Sequence, residues 1–303
     1  MIKLKNNVRL APLSTFKIGG RVKFFCEVRN DRELLTAITE AKKLKVTYKI
    51  IAGGSNVVFP DENLNCLLIK INSSNLKISV NQIMANAGVD LAAVIKKAIS
   101  RGLAGLETLS GIPGTVGGAI VGNAGAYGHS ISEAAEKVEV LDGKKKLWLN
   151  NRECKFHYRE SIFKKKPWII LRAVLKFKKG DSKALAKISQ EIIQTRLKKY
   201  KPGLRCPGSF FKNVLVKEVS KKSLKLIPQN KIIEGKIPTG YLLEEVGAKG
   251  MRVGGIKVAN FHGNLFINDG GAKAKDVKGL AKILKNRVKQ KFGIILEEEV
   301  RYF

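Results

Sequence analysis

Acidic residues are scarce in this chain, 25 against 57 lysines and arginines, for a formal net charge of +32 over 303 residues. Histidine is scarcer still: only His129, His157 and His262 occur, and no two are spaced as a zinc pair would be. The four cysteines, Cys26, Cys66, Cys154 and Cys206, stand far apart with no C-x-x-C between them. A metal site and a disulfide framework are therefore not expected, and the expected compartment is the cytoplasm, where thiols stay reduced. Long apolar runs are also missing. Residues 1–17 alternate charged and apolar side chains without the apolar core of a signal peptide, and nothing approaches the length of a membrane span.

Several common site motifs are absent as well. No G-x-G-x-x-G occurs, which argues against a standard Rossmann fingerprint, and no G-x-x-x-x-G-K-[ST] occurs, which excludes a P-loop. A G-x-S-x-G hydrolase elbow is missing too.

What is present is an ordinary globular composition, 44% hydrophobic, so a folded chain of two domains is expected rather than disorder. The lysines are scattered in pairs and triplets (Lys144-Lys145-Lys146, Lys164-Lys165-Lys166, Lys221-Lys222) and form no single arm or face. That scatter suits solvated surface better than nucleic-acid binding, although it attracts small anionic ligands. Nucleic acid is not an expected partner.

Periodicity outlines the elements. Ile50-Ile51 and Leu67-Leu68-Ile69 read as buried strands around a glycine turn, with helices over Arg32 to Leu44 and Leu91 to Arg101. Gly105 to Gly128 reads as loop. Strands follow over Val138 to Leu141 and Ile169 to Phe177, then a helix from Ala184 to Tyr200 and Pro202-Gly203, which composition marks as the candidate domain boundary. Beyond it come a helix over Thr239 to Val246, a strand over Leu265 to Asn268, a helix over Ala274 to Phe292, and a last strand over Ile294 to Tyr302. The expected class is α+β.

Two glycine-rich turns carry the chemistry. Gly53-Gly54-Ser55-Asn56 follows a strand, and Gly111-Ile112-Pro113-Gly114-Thr115-Val116-Gly117-Gly118 offers a second run of backbone N–H groups. Runs of this kind cradle a pyrophosphate, and two of them favour a dinucleotide; a pair of tight turns is the structural alternative.

At this point the chain resembles the UDP-N-acetylenolpyruvoylglucosamine reductases, the MurB family. The likeness rests on six stretches in family order: Thr15-Phe16-Lys17-Ile18-Gly19-Gly20, the Gly-Gly-Ser-Asn turn, Gly105 through Gly128, Tyr158-Arg159-Glu160-Ser161-Ile162-Phe163, Gly208-Ser209-Phe210-Phe211-Lys212-Asn213, and Leu296-Glu297-Glu298-Glu299-Val300-Arg301. It implies a two-part FAD-binding domain of the vanillyl-alcohol-oxidase (PCMH) type at 1–180, with subdomains at about 1–72 and 73–180. A smaller α+β substrate domain at 181–292 and a C-terminal strand at 293–303, returning to the flavin side, complete the expectation. The short segment from Lys199 to Cys206 resembles the class without an inserted tyrosine loop.

The resemblance also implies the activity: reduction of UDP-N-acetylglucosamine enolpyruvate to UDP-N-acetylmuramate in peptidoglycan precursor synthesis, hydride passing from NADPH through non-covalent FAD. The flavin would be held by Gly53, Gly54, Ser55, Asn56, Gly114, Thr115, Val116, Gly117, Gly118, Asn123, Ala124 and Gly125, with Arg301 nearby. Arg159 would hold the substrate carboxylate, since a guanidinium offers fixed bidentate geometry; a surface arginine is the structural alternative. Ser209 would deliver the proton to an enolate-like intermediate, and a positioned weak acid suffices for so strong a base; otherwise it is a turn serine. Tyr158, Lys212 and Asn213 would contact the UDP-sugar. Alternation leaves Glu297 and Glu299 on one face, and only the family pattern chooses Glu299 as acid or hydrogen-bond donor, a role that requires it shielded from water. The expected protein is a monomer with no metal and no membrane insertion.

Four departures from the family pattern stand out. Val214 replaces a common proline, which is expected to loosen the Ser209 loop, and Ala52 replaces a glycine. Ala259 stands where serine is common, and the chain ends at Phe303 without a glycine-bearing tail. Another flavin oxidoreductase of the same superfamily, or a basic polyanion binder, are the rival functions.

Overall fold

The computed structural model describes residues 2–303; Met1, where the expected flavin domain begins, lies outside them. The chain divides into two compact units. One holds the residues up to Val8, Val22–Gly53 and Asn65–Lys198; the other holds Arg9–Arg21, Gly54–Leu64 and Lys199–Phe303.

The first unit carries two cores. In the first, helix α1 (Asp31–Lys43) starts where the Asn30 side chain accepts the Glu33 N–H at 2.9 Å, with acids in its first turn and Lys42 and Lys43 in its last. Its face of Leu34, Ala37, Ile38 and Ala41 is buried with Cys26, Leu67 and Ile69 of a four-stranded sheet. The strand order there is Lys5–Arg9, Arg21–Val28, Leu64–Ile71, Thr47–Ile51, the last two parallel. Leu67, Leu68 and Ile69 are fully buried in sequence, which explains an unbroken apolar run where an exposed sheet face would alternate.

The second core lies against a five-stranded antiparallel sheet, ordered Lys145–Asn150, Ala135–Asp142, Ile169–Lys176, Gln82–Asn86, Leu76–Ile78. Helix α2 (Leu91–Ser100) is capped by Asp90 and buries Leu91, Val94, Ile95 and Ala98 in this core. The stretch read as loop between Gly105 and Gly128 contains a further helix, α3 (Val116–Gly122), which buries Val116 and Ile120. Helix α4 (Ser182–Lys199) is nearly all exposed, with Leu185 its only buried residue. It belongs to this unit because Ser189 Oγ meets Ser110 Oγ at 2.7 Å and Arg196 packs at Gly111.

That attachment moves the division of the chain. A substrate domain beginning at 181 was expected, but the second unit's C-terminal part starts at Lys199, just before Pro202-Gly203. The expected continuous flavin domain over 1–180 is also interrupted. Arg9–Arg21 and Gly54–Leu64 cluster with the C-terminal part because Phe16, Ile18 and Val58 are buried in its core, and Val57–Val58 pairs in parallel with Arg301–Tyr302.

In the second unit the short helices α5 (Lys221–Leu224) and α6 (Thr239–Glu244) precede an antiparallel sheet of Arg252–Val253, Ile256–Val258 and Phe266–Asn268. Helix α7 (Ala274–Phe292) buries Val277, Leu280, Ala281, Leu284 and Val288. The Asp61 carboxylate accepts the Ala274 and Lys275 N–H groups at 2.7 and 3.0 Å, and Gly293 ends the helix in the left-handed conformation at φ 68°. The last strand, read over Ile294 to Tyr302, is regular only at Arg301–Tyr302; the residues before it pair irregularly with another segment. Among the described residues no helix is long and apolar enough to cross a membrane.

Candidate active site

The second unit builds a dense arrangement around Ser209. Gly208, at φ 90°, turns the chain into Ser209, which bridges to Leu265. The next residue, Phe210, stacks on Phe266 with ring centroids 3.9 Å apart, and Phe211 meets Phe210 edge-on at 5.0 Å. Asn264, buried at 2% exposure, clamps Phe211 from both sides: its Oδ1 accepts the Phe211 N–H and its Nδ2 donates to the Phe211 carbonyl, each at 2.8 Å. The Phe210 N–H donates to the Asn264 carbonyl at 3.0 Å. A buried backbone with all these partners met is held rigidly.

The same segment carries the glutamates. The Glu299 N–H donates to the Phe210 carbonyl at 2.8 Å and the Lys212 N–H to the Glu297 carbonyl at 2.9 Å, with Phe211 and Glu298 bridged between them. Glu299 is thereby brought beside the Ser209 loop from the far end of the chain.

Side-chain surroundings distinguish the two carboxylates that spacing left equal. Glu297 is 71% exposed and paired with Lys212 Nζ at 2.5 Å, while Glu299 is half-buried. Lys212, expected at the substrate, is buried and directed at Glu297. Asn213 Oδ1 accepts the Thr239 N–H at 3.2 Å. The Val214 departure does not loosen the loop, because Val214 pairs with Ile237 in a short antiparallel ladder that a proline could not complete. His262, on the other side of Asn264, accepts the Asn264 N–H at Nδ1 at 3.0 Å. Burial pushes this imidazole from 6.5 down to about 4, with Lys199 adding to the effect, so it is neutral at pH 7.

The Gly54-Ser55-Asn56 part of the first turn lies in this unit too. The Thr15 hydroxyl donates to the Cys206 carbonyl at 2.8 Å and also reaches the Ser55 carbonyl at 3.3 Å, while the Thr15 N–H donates to the Gly54 carbonyl at 3.1 Å. Gly54 holds φ 64°, and a Cβ there would stand 2.1 Å from the Leu13 carbonyl oxygen. Asn56 Nδ2 donates to the Glu299 carbonyl at 3.1 Å, and its carbonyl accepts the Arg301 N–H at 3.1 Å. Asn56 Oδ1 is buried without a hydrogen-bond partner. The sequence alone gives Thr15 no individual role within the Thr15–Gly20 motif, and nothing in it marks Asn264.

In the first unit Gly53 lies against the second turn: a Cβ on it would stand 3.1 Å from Gly114 Cα. The run of N–H groups expected over Gly114 to Gly118 is shorter than the sequence suggested. Val116 donates to the Val89 carbonyl and Gly117 to the Ala87 carbonyl, both at 2.9 Å, and Gly118 to the Thr115 hydroxyl at 3.3 Å. The turn is bound to the neighbouring backbone, so these three groups fix the cradle's shape rather than face a ligand.

Asn123 is left-handed at φ 42°, and its side chain joins the His157 carbonyl and the Ser132 N–H at 2.8 and 3.3 Å. Ala124 has both backbone groups bonded, and Gly125 could not carry a side chain, with the His129 carbonyl 2.4 Å from its Cβ position. The Gly125 carbonyl in turn accepts Arg159 Nη2 at 2.7 Å. Arg159 stands at φ 56°, costly for a side-chain-bearing residue, and its guanidinium lies 5.5 Å from the Tyr158 ring centroid. Arg159, Tyr158 and the Asn123–Gly125 loop are thus brought together in one unit, and Ser209, Glu299, Asn56 and Arg301 in the other.

The composition of these sites fits a flavin. An unpartnered buried acceptor at Asn56 and a cradle with no room for a Cβ both suit a nucleotide ligand. Comparison with known proteins agrees. A FAD-binding-domain profile matches residues 22–148, and the profile of the UDP-N-acetylenolpyruvoylglucosamine reductase C-terminal domain matches residues 199–303. The UDP-N-acetylenolpyruvoylglucosamine reductase of Solibacter usitatus is 42% identical over 97% of this chain and 94% of its own length. That of Caldanaerobacter subterraneus is 34% identical over 99% of this chain and 93% of its own. The crystal structure of UDP-N-acetylenolpyruvylglucosamine reductase from Thermus caldophilus superposes with a TM-score of 0.78 over the full length of both chains, at 28% identity. The fold class is the expected α+β, with a FAD-binding domain, and the chain belongs to the UDP-N-acetylenolpyruvoylglucosamine reductase family.

Proposed function

We infer that this chain reduces the enolpyruvyl group of UDP-N-acetylglucosamine enolpyruvate to the lactyl ether of UDP-N-acetylmuramate, with non-covalent FAD and NADPH. The observation that supports the chemical roles is the Glu299 N–H to Phe210 carbonyl bond, which joins the backbone of the glutamate to the residue after Ser209.

FAD supplies a two-electron carrier between NADPH and the substrate's terminal carbon. The protein's own task is the other half of the addition. Negative charge develops on the carbon bearing the ether oxygen and on its carboxylate, and it needs stabilisation and a proton. Ser209 Oγ holds that proton, on a backbone held by the Leu265 bridge and, through Phe211, by Asn264. Glu299, half-buried, serves as the acid or hydrogen-bond donor to the enolate. Arg159, braced by the Gly125 carbonyl, binds the carboxylate. Gly53, Gly114, Thr115 and the Asn123–Gly125 loop shape the flavin site of the first unit, with Gly118, Val116 and Gly117 fixing its backbone. The flavin contacts we propose in the second unit are Gly54, Ser55, Asn56 and Arg301. Tyr158 and Asn213 contact the UDP-sugar, and Lys212 acts there through Glu297. Proposed domains are a flavin domain in two parts and a substrate domain beginning at Lys199. We propose a cytoplasmic monomer; a nucleotide-sugar substrate and NADPH are both consistent with that compartment.

The purified protein is expected to be yellow, to release FAD on denaturation, and to turn over NADPH catalytically only when the enolpyruvyl sugar is added. Rapid NADPH oxidation with an alcohol or aldehyde, and none with the enolpyruvyl sugar, would transfer the chain to a different substrate class.

A further inference from the structure

The Ser209 hydroxyl has a neighbour that the scheme above does not use. Tyr200 Oη lies 3.1 Å from Ser209 Oγ, a hydrogen bond in which either oxygen can donate. Both ends are held. The tyrosine ring packs on the small cluster of Cys206, Ala259 and Leu265, and Lys199 Nζ lies 5.0 Å from its centroid. The serine backbone is fixed by its bridge to that same Leu265.

A serine that gives up its proton must recover one, and an alkoxide left in a half-buried site is costly. Tyr200 is itself only partly buried, and the relay has its hydroxyl recover a proton from water. A phenol is a stronger acid than an aliphatic alcohol, so proton transfer from tyrosine to a serine alkoxide runs downhill.

We propose that Tyr200 is a positioning residue that aims the Ser209 hydroxyl and restores its proton. As the Ser209 O–H bond breaks and the new C–H bond forms on the substrate, the Tyr200 O–H proton moves to Ser209 Oγ, and water reprotonates the tyrosine. No electrons are exchanged in the relay. The inference rests on Ser209 being the proton donor.

Tyr200→Phe tests it, removing one oxygen and leaving the ring in its cluster. In the holoenzyme, oxidation of the reduced flavin by the enolpyruvyl sugar is expected to slow roughly tenfold, the scale of one lost hydrogen bond at a reacting group. Flavin reduction by NADPH and the unfolding midpoint are expected to stay as in the parent. The discriminating measurement is the rate in mixtures of H2O and D2O. Two protons in flight give a bowed dependence in the parent, and the variant is expected to give a straight line. An unchanged oxidation rate, or a dependence still bowed in the variant, overturns the relay. The double variant with Ser209→Ala is expected to be no slower than Ser209→Ala alone. If Ser209→Ala slows the step while Tyr200→Phe does not, only the relay is wrong; if Ser209→Ala itself leaves the step unchanged, the proton-donor reading fails and the relay with it.

Discussion

Ser209→Ala is expected to slow oxidation of the reduced flavin by UDP-N-acetylglucosamine enolpyruvate by roughly 10²–10⁴-fold, the range of a positioned general acid. Reduction of the flavin by NADPH is expected to stay within about twofold, because that half-reaction transfers no proton from this serine. The two steps separate in a stopped-flow experiment that follows flavin absorbance. The substitution removes only an oxygen from a segment whose backbone is held by Asn264, Leu265 and Glu299, so the loop keeps its shape. A collapse of both half-reactions in parallel would mean that Ser209 supports the fold or the flavin rather than the proton transfer.

The second large effect concerns the cofactor. Gly54→Val places a branched side chain at φ 64°, with its Cβ 2.1 Å from the Leu13 carbonyl oxygen, where neither backbone can yield without breaking the turn. Left-handed strain alone costs of order 1–3 kcal/mol for such a residue, and the clash adds to it. The protein is expected to purify with less than about a tenth of the parent's flavin, since 1.4 kcal/mol already changes affinity tenfold. Gly122→Ala is the control: nothing lies within 4 Å of its Cβ position, and alanine favours the helix it sits in. Flavin content measured by absorbance after denaturation decides the matter. A Gly54→Val protein carrying its full complement of FAD would show that this turn is not part of the cofactor site.

Elements with a long, regular period were legible from the residues alone. Helix α7 is bounded at Ala274 and Phe292 as expected, because seven buried apolar side chains recur along it and Gly293 stops the helix. Helix α3 was missed within Gly105 to Gly128, and the reason is physical. Its sequence, with Gly117, Gly118 and Gly122, has poor helix propensity, and it forms because Thr115 caps it and Val116 and Ile120 are buried. The final strand was overextended because the alternation of Ile294 and Leu296 reflects burial in a core, while their neighbours pair with Phe210–Lys212 in an irregular ladder.

The candidate site was legible as a set of motifs and not as a geometry. Ser209 and Glu299 could be named, but only the long-range pairing of Phe210–Lys212 with Glu297–Glu299 brings their segments together. Glycine runs suggested open N–H groups, yet Val116 and Gly117 donate to carbonyls of a strand end far away in sequence, which no spacing predicts. Asn264 and Tyr200 are not marked by any local pattern: Asn264 acts through bonds to Phe210 and Phe211 more than fifty residues away, and Tyr200 through a side-chain bond to Ser209 that no spacing predicts.

Turnover in D2O, with the product examined by NMR, tests the proton-transfer claim most directly. A solvent-exchanged hydroxyl fixed beside the substrate should place one deuterium on the carbon bearing the ether oxygen, in a single configuration. Deuterium missing from that carbon, or an equal mixture of configurations there, would mean that no positioned group of this protein delivers the proton.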